Sequence, residues 1–392
     1  MRKGTIMTSE RNPIDPFEIY VEDEVIEDLI ERITRTRWPG EITNSGWDYG
    51  SNLSYVMDLC DYWKNTFNWR EQESRINTFH NFTTVVSGLK IHFILEKGKG
   101  PNPLPLVITH GWPSTFAEML DIIPLLTDPG SHGGDSADSF DVIVPSLPGY
   151  GYSEKPSYPG MNVAEIARLW VELMTNNLGY SSFTAQGGDW GAGVTTALAA
   201  NHGDRLKAIH LTMSSTGTDI PADIKLSDEE RDFISHRNWW QENEGAYGHI
   251  QRTKPQTLAY GLTDSPAGLA SWIVEKWRAW SDCGGDIESR FTKDQLLTHL
   301  TIYWVTQTIE SSIRLYYESG KSGPIVSYGT KVEVPTSFAS FPVEISYPPR
   351  EWLERFFNLK RFTKMPSGGH FSATEEPELL AEDIRESFRF LR

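Results

Sequence analysis

The chain has 392 residues, 39% of them hydrophobic and 23% charged, enough to bury a large core in one domain or two closely packed ones. Its formal net charge of −17 at pH 7 repels phosphate backbones and anionic membrane surfaces, so no nucleic acid and no membrane is expected as a partner. Two cysteines, Cys60 and Cys283, are too few for a disulfide scaffold and fit a reducing, cytoplasmic setting.

Met1 to Tyr20 carries no apolar run of signal-peptide length, and no stretch of about 18 apolar residues occurs anywhere, so no membrane anchor is predicted. Residues 1–85 form a polar, Trp-rich segment. Within it, Asp23 to Arg37 has the period of an amphipathic helix, with Val25, Ile26, Leu29, Ile30 and Ile33 on one face, ended by Trp38-Pro39-Gly40. Tyr55 to Phe67 is a second predicted helix. Thr83 to Val86 and Leu89 to Leu95 flank Ser87-Gly88 and predict a hairpin.

Short apolar strands then alternate with helices. The predicted strands are Leu104 to Thr109, Val142 to Pro145, Phe183 to Gln186 and Ala208 to Leu211, with helices at Val163 to Asn177 and Val194 to Ala200. This alternation predicts an α/β fold with a mostly parallel, doubly wound sheet. Residues 215–325 break it with predicted helices at Asp228 to Glu242, Pro266 to Trp280 and Lys293 to Glu318, which read as a helical lid. The alternation resumes with a strand at Lys331 to Val334, a helix at Arg350 to Phe356, a strand around Arg361 to Met365 and a helix at Pro377 to Phe390. The core is therefore expected in 86–214 and 326–392.

Gly187-Gly188-Asp189-Trp190-Gly191 lies between a predicted strand and a predicted helix. A nucleophile elbow needs small residues two before and two after the reactive residue, and Gly187 and Gly191 supply them. Alone, the loop also fits a helix-capping aspartate. Two later residues strengthen the first reading. Glu344 follows one late strand, and His370, in Ser367-Gly368-Gly369-His370-Phe371, follows the next. Nucleophile, acid and base in that chain order match an α/β-hydrolase. His110-Gly111-Trp112-Pro113 follows an early strand, where the Trp112 N–H can form an oxyanion hole with the Trp190 N–H.

An aspartate nucleophile attacks saturated carbon and leaves an ester, which water activated by His370 then cleaves. Epoxides and alkyl halides both suit this, and the Trp190 indole could serve a halide. Tyrosines in the lid segment could protonate an epoxide oxygen. Gly245-Ala246-Tyr247-Gly248-His249-Ile250 and Ser312-Ile313-Arg314-Leu315-Tyr316-Tyr317-Glu318 both offer one, but with 15 Tyr in the chain spacing alone does not choose.

From about Pro16 to Ile384 the chain resembles the microsomal and juvenile-hormone epoxide hydrolase family, which includes soluble fungal and bacterial members. The resemblance rests on His110-Gly111-Trp112-Pro113, Gly187-Gly188-Asp189-Trp190-Gly191, Tyr247-Gly248-His249-Ile250-Gln251-Arg252-Thr253-Lys254-Pro255, Asp264-Ser265-Pro266-Ala267-Gly268-Leu269-Ala270 and Gly368-Gly369-His370-Phe371. It implies epoxide hydrolysis, with an epoxide and water as substrates; the nucleophile, base and donors already present, and the lack of metal-ligand spacing, predict that no cofactor or metal is needed. It implies Asp189 as nucleophile, Glu344 as charge-relay acid, His370 as base, and Tyr247 and Tyr316 as the lid tyrosines. It also implies that residues 1–85 form an N-terminal meander around core and lid. Rival readings are a haloalkane dehalogenase, a biosynthetic cyclase that opens an epoxide with the substrate's own hydroxyl, and a non-catalytic binding protein on the same fold. The sequence leaves a homodimer open.

The absent apolar span and the acidic charge predict that untagged protein is recovered in the soluble fraction without detergent. Recovery mainly in salt-resistant membranes would defeat this.

Overall fold

The computed structural model describes residues 12–217 and 220–392. The expectation for Met1 to Tyr20 falls partly on residues 1–11, which lie outside the described residues. Among the described residues, no helix is long and apolar enough to cross a membrane.

The strands are β1 (Ile14–Pro16), β2 (Asn81–Val86), β3 (Leu89–Glu96), β4 (Leu104–Thr109), β5 (Phe140–Pro145), β6 (Phe183–Gly187), β7 (Leu206–Leu211), β8 (Val332–Ser340) and β9 (Phe357–Lys364). They form one sheet in the order β1-β2-β3-β5-β4-β6-β7-β8-β9. From β5 to β9 neighbours run parallel, while β1, β2 and β3 join antiparallel. Parallel strands need both faces covered, and every residue of β5 is buried. Because β4 lies between β5 and β6, the chain leaves it toward opposite sides. The carboxyl ends of β4 and β6 therefore border the crevice where α/β sheets bind ligands.

Local signals account for most elements. Ser87 and Gly88 have φ of 48° and 81°, the pair of left-handed residues that a two-residue hairpin turn requires. Helix Pro266–Trp280 begins at proline, with the Ser265 hydroxyl accepting the Gly268 N–H at 3.0 Å. The long helix expected at Lys293 to Glu318 is three helices, Lys293–Thr306, Ile309–Ser312 and Arg314–Gly320; the first ends because Gln307 turns left-handed at φ 53°. Helix Asp23–Thr34 stops before the expected Arg37.

Some elements carried no clear apolar period. Helix Trp69–Ile76 is mostly polar; its buried Glu73 accepts the Val21 N–H at 2.7 Å and the Trp69 indole N–H at 3.0 Å. Helices Ala246–Thr253 and Pro255–Asp264 are short and meet at Lys254. Strand β8 runs six residues past the expected Val334; Pro335 and two register shifts against β9 interrupt its pattern. Edge strand β1 is three exposed residues.

Residues before β2 touch the helical segment between β7 and β8. The Trp63 indole donates to Thr301 Oγ1 at 2.9 Å, Tyr62 to Asp294 at 3.1 Å, and Arg32 to Asp264 at 2.6 Å. The last helix, Pro377–Phe388, is tied to the sheet by Asp383. Its buried carboxylate accepts from Arg361 Nε at 2.8 Å and Thr363 Oγ1 at 2.7 Å on β9, and contacts His210 Nε2 on β7 at 3.0 Å. Despite burial, His210, Thr363 and Arg361 hold this carboxyl down to about 2.

Removing one member of a buried, bonded charge cluster costs about 3–5 kcal/mol. Asp383→Ala is therefore expected to lower unfolding stability by about 3 kcal/mol, read from the urea midpoint. A midpoint unchanged from the parent would show that the clamp contributes nothing.

Candidate active site

Strand β6 runs into Gly187 and turns sharply at Asp189, whose φ is 46°. This strained backbone opens helix Asp189–Asn201. The turn closes only without side chains. A Cβ on Gly187 would lie 2.2 Å from the Gly191 carbonyl oxygen, and one on Gly191 would lie 1.9 Å from the Thr109 carbonyl oxygen. The helix N-terminus also favours the negative charge of the Asp189 carboxylate.

The loop after β4 meets this carboxylate. The Trp112 N–H donates to Asp189 Oδ1 at 2.8 Å. A Cβ on Gly111 would lie 2.1 Å from the same oxygen, so the approach demands glycine. The loop is held from behind by His110, whose Nε2 accepts the Leu147 N–H at 3.2 Å while Nδ1 faces the Gly111 carbonyl at 3.1 Å. Burial lowers this imidazole to about 4, which suits a neutral structural role. The Trp190 N–H makes no bond to Asp189 among the described hydrogen bonds, so Trp112 alone contacts the carboxylate in this way.

The ends of β8 and β9 bring in the other two groups. His370 Nε2 lies 3.3 Å from Asp189 Oδ2, and His370 Nδ1 lies 2.6 Å from Glu344 Oε1. Glu344 Oε1 also accepts the Ile345 N–H at 2.7 Å. The His370 N–H is anchored to the Trp280 carbonyl at 2.9 Å. Burial opposes a charge on this ring, but the carboxylates of Glu344 and Asp189 override it and hold His370 well above its ordinary value. Both carboxylates therefore favour the protonated form of this ring.

Aromatic rings enclose the carboxylate. Tyr247 stacks on Trp112 with centroids 5.4 Å apart, and Tyr316 meets Trp190 edge-on at 4.7 Å and Trp112 at 5.7 Å. The two tyrosine rings are 5.9 Å apart, and Trp280 packs 5.1 Å from His370. Burial first, then the neighbouring phenol and the Asp189 charge, hold Tyr316 well above its ordinary value. Tyr317 faces away, with the Lys321 ammonium 3.8 Å from its ring. A pocket of about 320 Å³ opens beside Trp190, Tyr247 and Tyr316.

The sequence reading missed Glu118, on the short turn after Pro113. Its side chain is buried and accepts the Ser114 hydroxyl. Burial raises this carboxyl to about 7, against the opposing pull of Ser114 and His370. Burial likewise raises Glu375 to about 7, although it accepts the Phe371 N–H at 3.0 Å and the Asp282 N–H at 2.8 Å. Glu118, Gln186, Asp189 and His370 line a chamber of about 20 Å³. The available signal was a lone charge within the apolar run from Phe116 to Leu120. Among the described residues, no group of three or more His, Cys, Asp or Glu is placed to hold a metal ion.

A carboxyl raised from 4.5 unfolded to about 7 folded stabilises the fold fully below 4.5 and loses that contribution as pH rises through 7. Glu118→Gln is expected to shrink the stability difference between about pH 5 and about pH 8, measured by urea unfolding. An equal difference in parent and variant would refute this assignment.

Residues 14–119 match the family model described as epoxide hydrolase N terminus, and residues 105–257 match the alpha/beta hydrolase fold. The chain is 39% identical over 403 residues to epoxide hydrolase 1 of Oryctolagus cuniculus, covering 96% of this chain and 88% of that one. It superposes on the crystal structure of juvenile hormone epoxide hydrolase from the silkworm Bombyx mori with a TM-score of 0.88 at 32% identity, covering 98% of this chain and 97% of that one. For the Aspergillus niger epoxide hydrolase structure the TM-score is 0.85 at 27% identity, covering 97% of each chain. With this site on this sheet and these relatives along nearly its whole length, the chain belongs to the epoxide hydrolase family of the α/β-hydrolase fold.

Proposed function

We propose that the chain hydrolyses an epoxide to a vicinal diol through an ester on Asp189. One observation carries this: the Asp189 carboxylate has Oδ1 bound by the Trp112 N–H at 2.8 Å and Oδ2 facing His370 Nε2 at 3.3 Å. One oxygen is thus held as the future carbonyl, and the other, paired with His370, is the one we assign to attack carbon.

Asp189 Oδ2 attacks an epoxide carbon and the C–O bond breaks. Tyr247 and Tyr316 hold the departing oxygen and pass it a proton. Ester formation removes the Asp189 charge, one of the two that keep His370 protonated. His370 then releases its proton through solvent and the phenolate left by ring opening takes one up, so both phenols are restored. The cation of the resting site becomes the neutral base needed next.

Water donates a proton to His370 and attacks the ester carbon. Negative charge collects on Oδ1 under the Trp112 N–H. Collapse breaks the ester bond, the diol oxygen takes the acid proton, and Asp189 and His370 return to their charged forms. The 20 Å³ chamber has room for one water, and the Gln186 Oε1 that lines it is buried without a partner among the described residues.

In this reading residues 215–325 are the lid, 86–214 and 326–392 the core, and 1–85 the meander; the Trp63–Thr301 and Arg32–Asp264 contacts support the last assignment. The acidic charge and the two unpaired cysteines support a cytoplasmic setting. One feature suits a leaving halide instead: the Trp112 and Trp190 indole N–H groups are buried without partners among the described residues. Halide release is therefore measured beside diol formation.

His370→Gln separates the two steps. Ring opening needs Asp189 and the tyrosines, whereas ester cleavage needs a base that glutamine cannot supply. Mixed with styrene oxide, the variant is expected to accumulate close to one equivalent of adduct on a peptide containing Asp189, seen by intact-protein and peptide mass spectrometry. No adduct despite demonstrated substrate binding would sink the ester mechanism.

A further inference from the structure

Tyr247 must stabilise negative charge on an epoxide oxygen, yet its surroundings oppose that task. Burial, and then the Asp189 charge, hold its phenol above the ordinary value. A positive group stands against its ring. The Lys276 ammonium lies 4.9 Å from the ring centroid. Lys276 is only 7% exposed, a rare position for lysine.

The placement follows from one helix. Lys276 and Trp280 are one turn apart on Pro266–Trp280 and share a face. Trp280 packs 5.2 Å from Tyr247, and its carbonyl anchors the His370 N–H at 2.9 Å. The helix that fixes the base thus also holds the ammonium against the phenol. Two acids share this surrounding: Glu275 pairs with Lys276, and Glu244 feels the charge of both.

We propose that Lys276 is a positioning residue for ring opening, its ammonium on the Tyr247 ring stabilising the charge that the phenol takes up as it serves the epoxide oxygen. The inference rests on Tyr247 acting as proposed above. In the ground state the ammonium meets a neutral ring and gains an ordinary cation–π attraction. As the hydroxyl gives up its proton, negative charge spreads into the ring and the attraction grows. An interaction stronger in the transition state than in the ground state lowers the barrier. The plain alternative is that Lys276 only neutralises Glu244 and Glu275. That role would not depend on the Tyr247 hydroxyl.

The experiment measures Asp189 alkylation by styrene oxide in rapid-quench single turnovers, and ester cleavage separately. Lys276→Met is expected to slow alkylation about two- to thirtyfold, the range of one cation–π contact, and to leave ester cleavage within about twofold. Lys276→Arg should recover most of the rate. In a Tyr247→Phe background, Lys276→Met should cause no further loss. An undiminished loss in that background, equal slowing of both steps, or unchanged alkylation would overturn the proposal. If Lys276→Met folds poorly with Glu275 unpaired, the Glu275→Gln/Lys276→Met variant removes both charges and carries the same readings. Absence of any adduct in the His370→Gln variant overturns the ester mechanism and this proposal together; an adduct there whose rate of formation ignores Lys276 overturns this proposal alone.

Discussion

The hydrogen bond from the Trp112 N–H to Asp189 Oδ1, at 2.8 Å, requires two loops to approach more closely than side chains allow. Gly111, Gly187 and Gly191 make that approach, each at a point where a Cβ would fall within 2.2 Å of another atom. Asp189 itself stands at φ 46°, a conformation that surrounding structure must enforce. Helix Asp189–Asn201, the neighbouring strands β4 and β6 and the buried His110 supply that enforcement. The rest of the site is arranged around the one carboxylate so fixed.

Electrostatics then follow from burial. Inside an aromatic shell, charges interact far more strongly than in water. Two carboxylates hold His370 well above its ordinary value against the cost of burying its charge, while Glu118 and Glu375, with weaker support, are pushed toward neutrality. The same physics makes the charge state of His370 depend on the charge of Asp189. In the reaction we propose, a single histidine thereby favours its charged form before ring opening and serves as the base after it.

The reach of sequence reasoning differs from element to element. Helix Pro266–Trp280 and helix Arg350–Phe356 match their expected bounds, because each has proline at or beside its start and a clear apolar face. Strand β8 was cut short because Pro335 and a bulge break its alternation, features that only pairing with β9 tolerates. Helix Trp69–Ile76 was missed because its stability comes from contacts with Val21 and Asp23 rather than from an apolar stripe. The end of helix Lys293–Thr306 depends on one left-handed residue, Gln307, which no period announces.

The sequence by itself determined the elbow around Asp189 and the chain order of Asp189, Glu344 and His370. Glycine spacing and strand-to-helix transitions are local demands, and local demands are written in adjacent residues. It did not determine that Tyr316 joins Tyr247 at the site while Tyr317 turns toward Lys321, nor that Glu118 lines a chamber with Asp189 and His370 and Lys276 lies against Tyr247. Only the tertiary structure decided those. A side chain's partner depends on which face of its helix is covered and by what. Here the covering elements lie tens to hundreds of residues away along the chain, so no short window of sequence contains the answer.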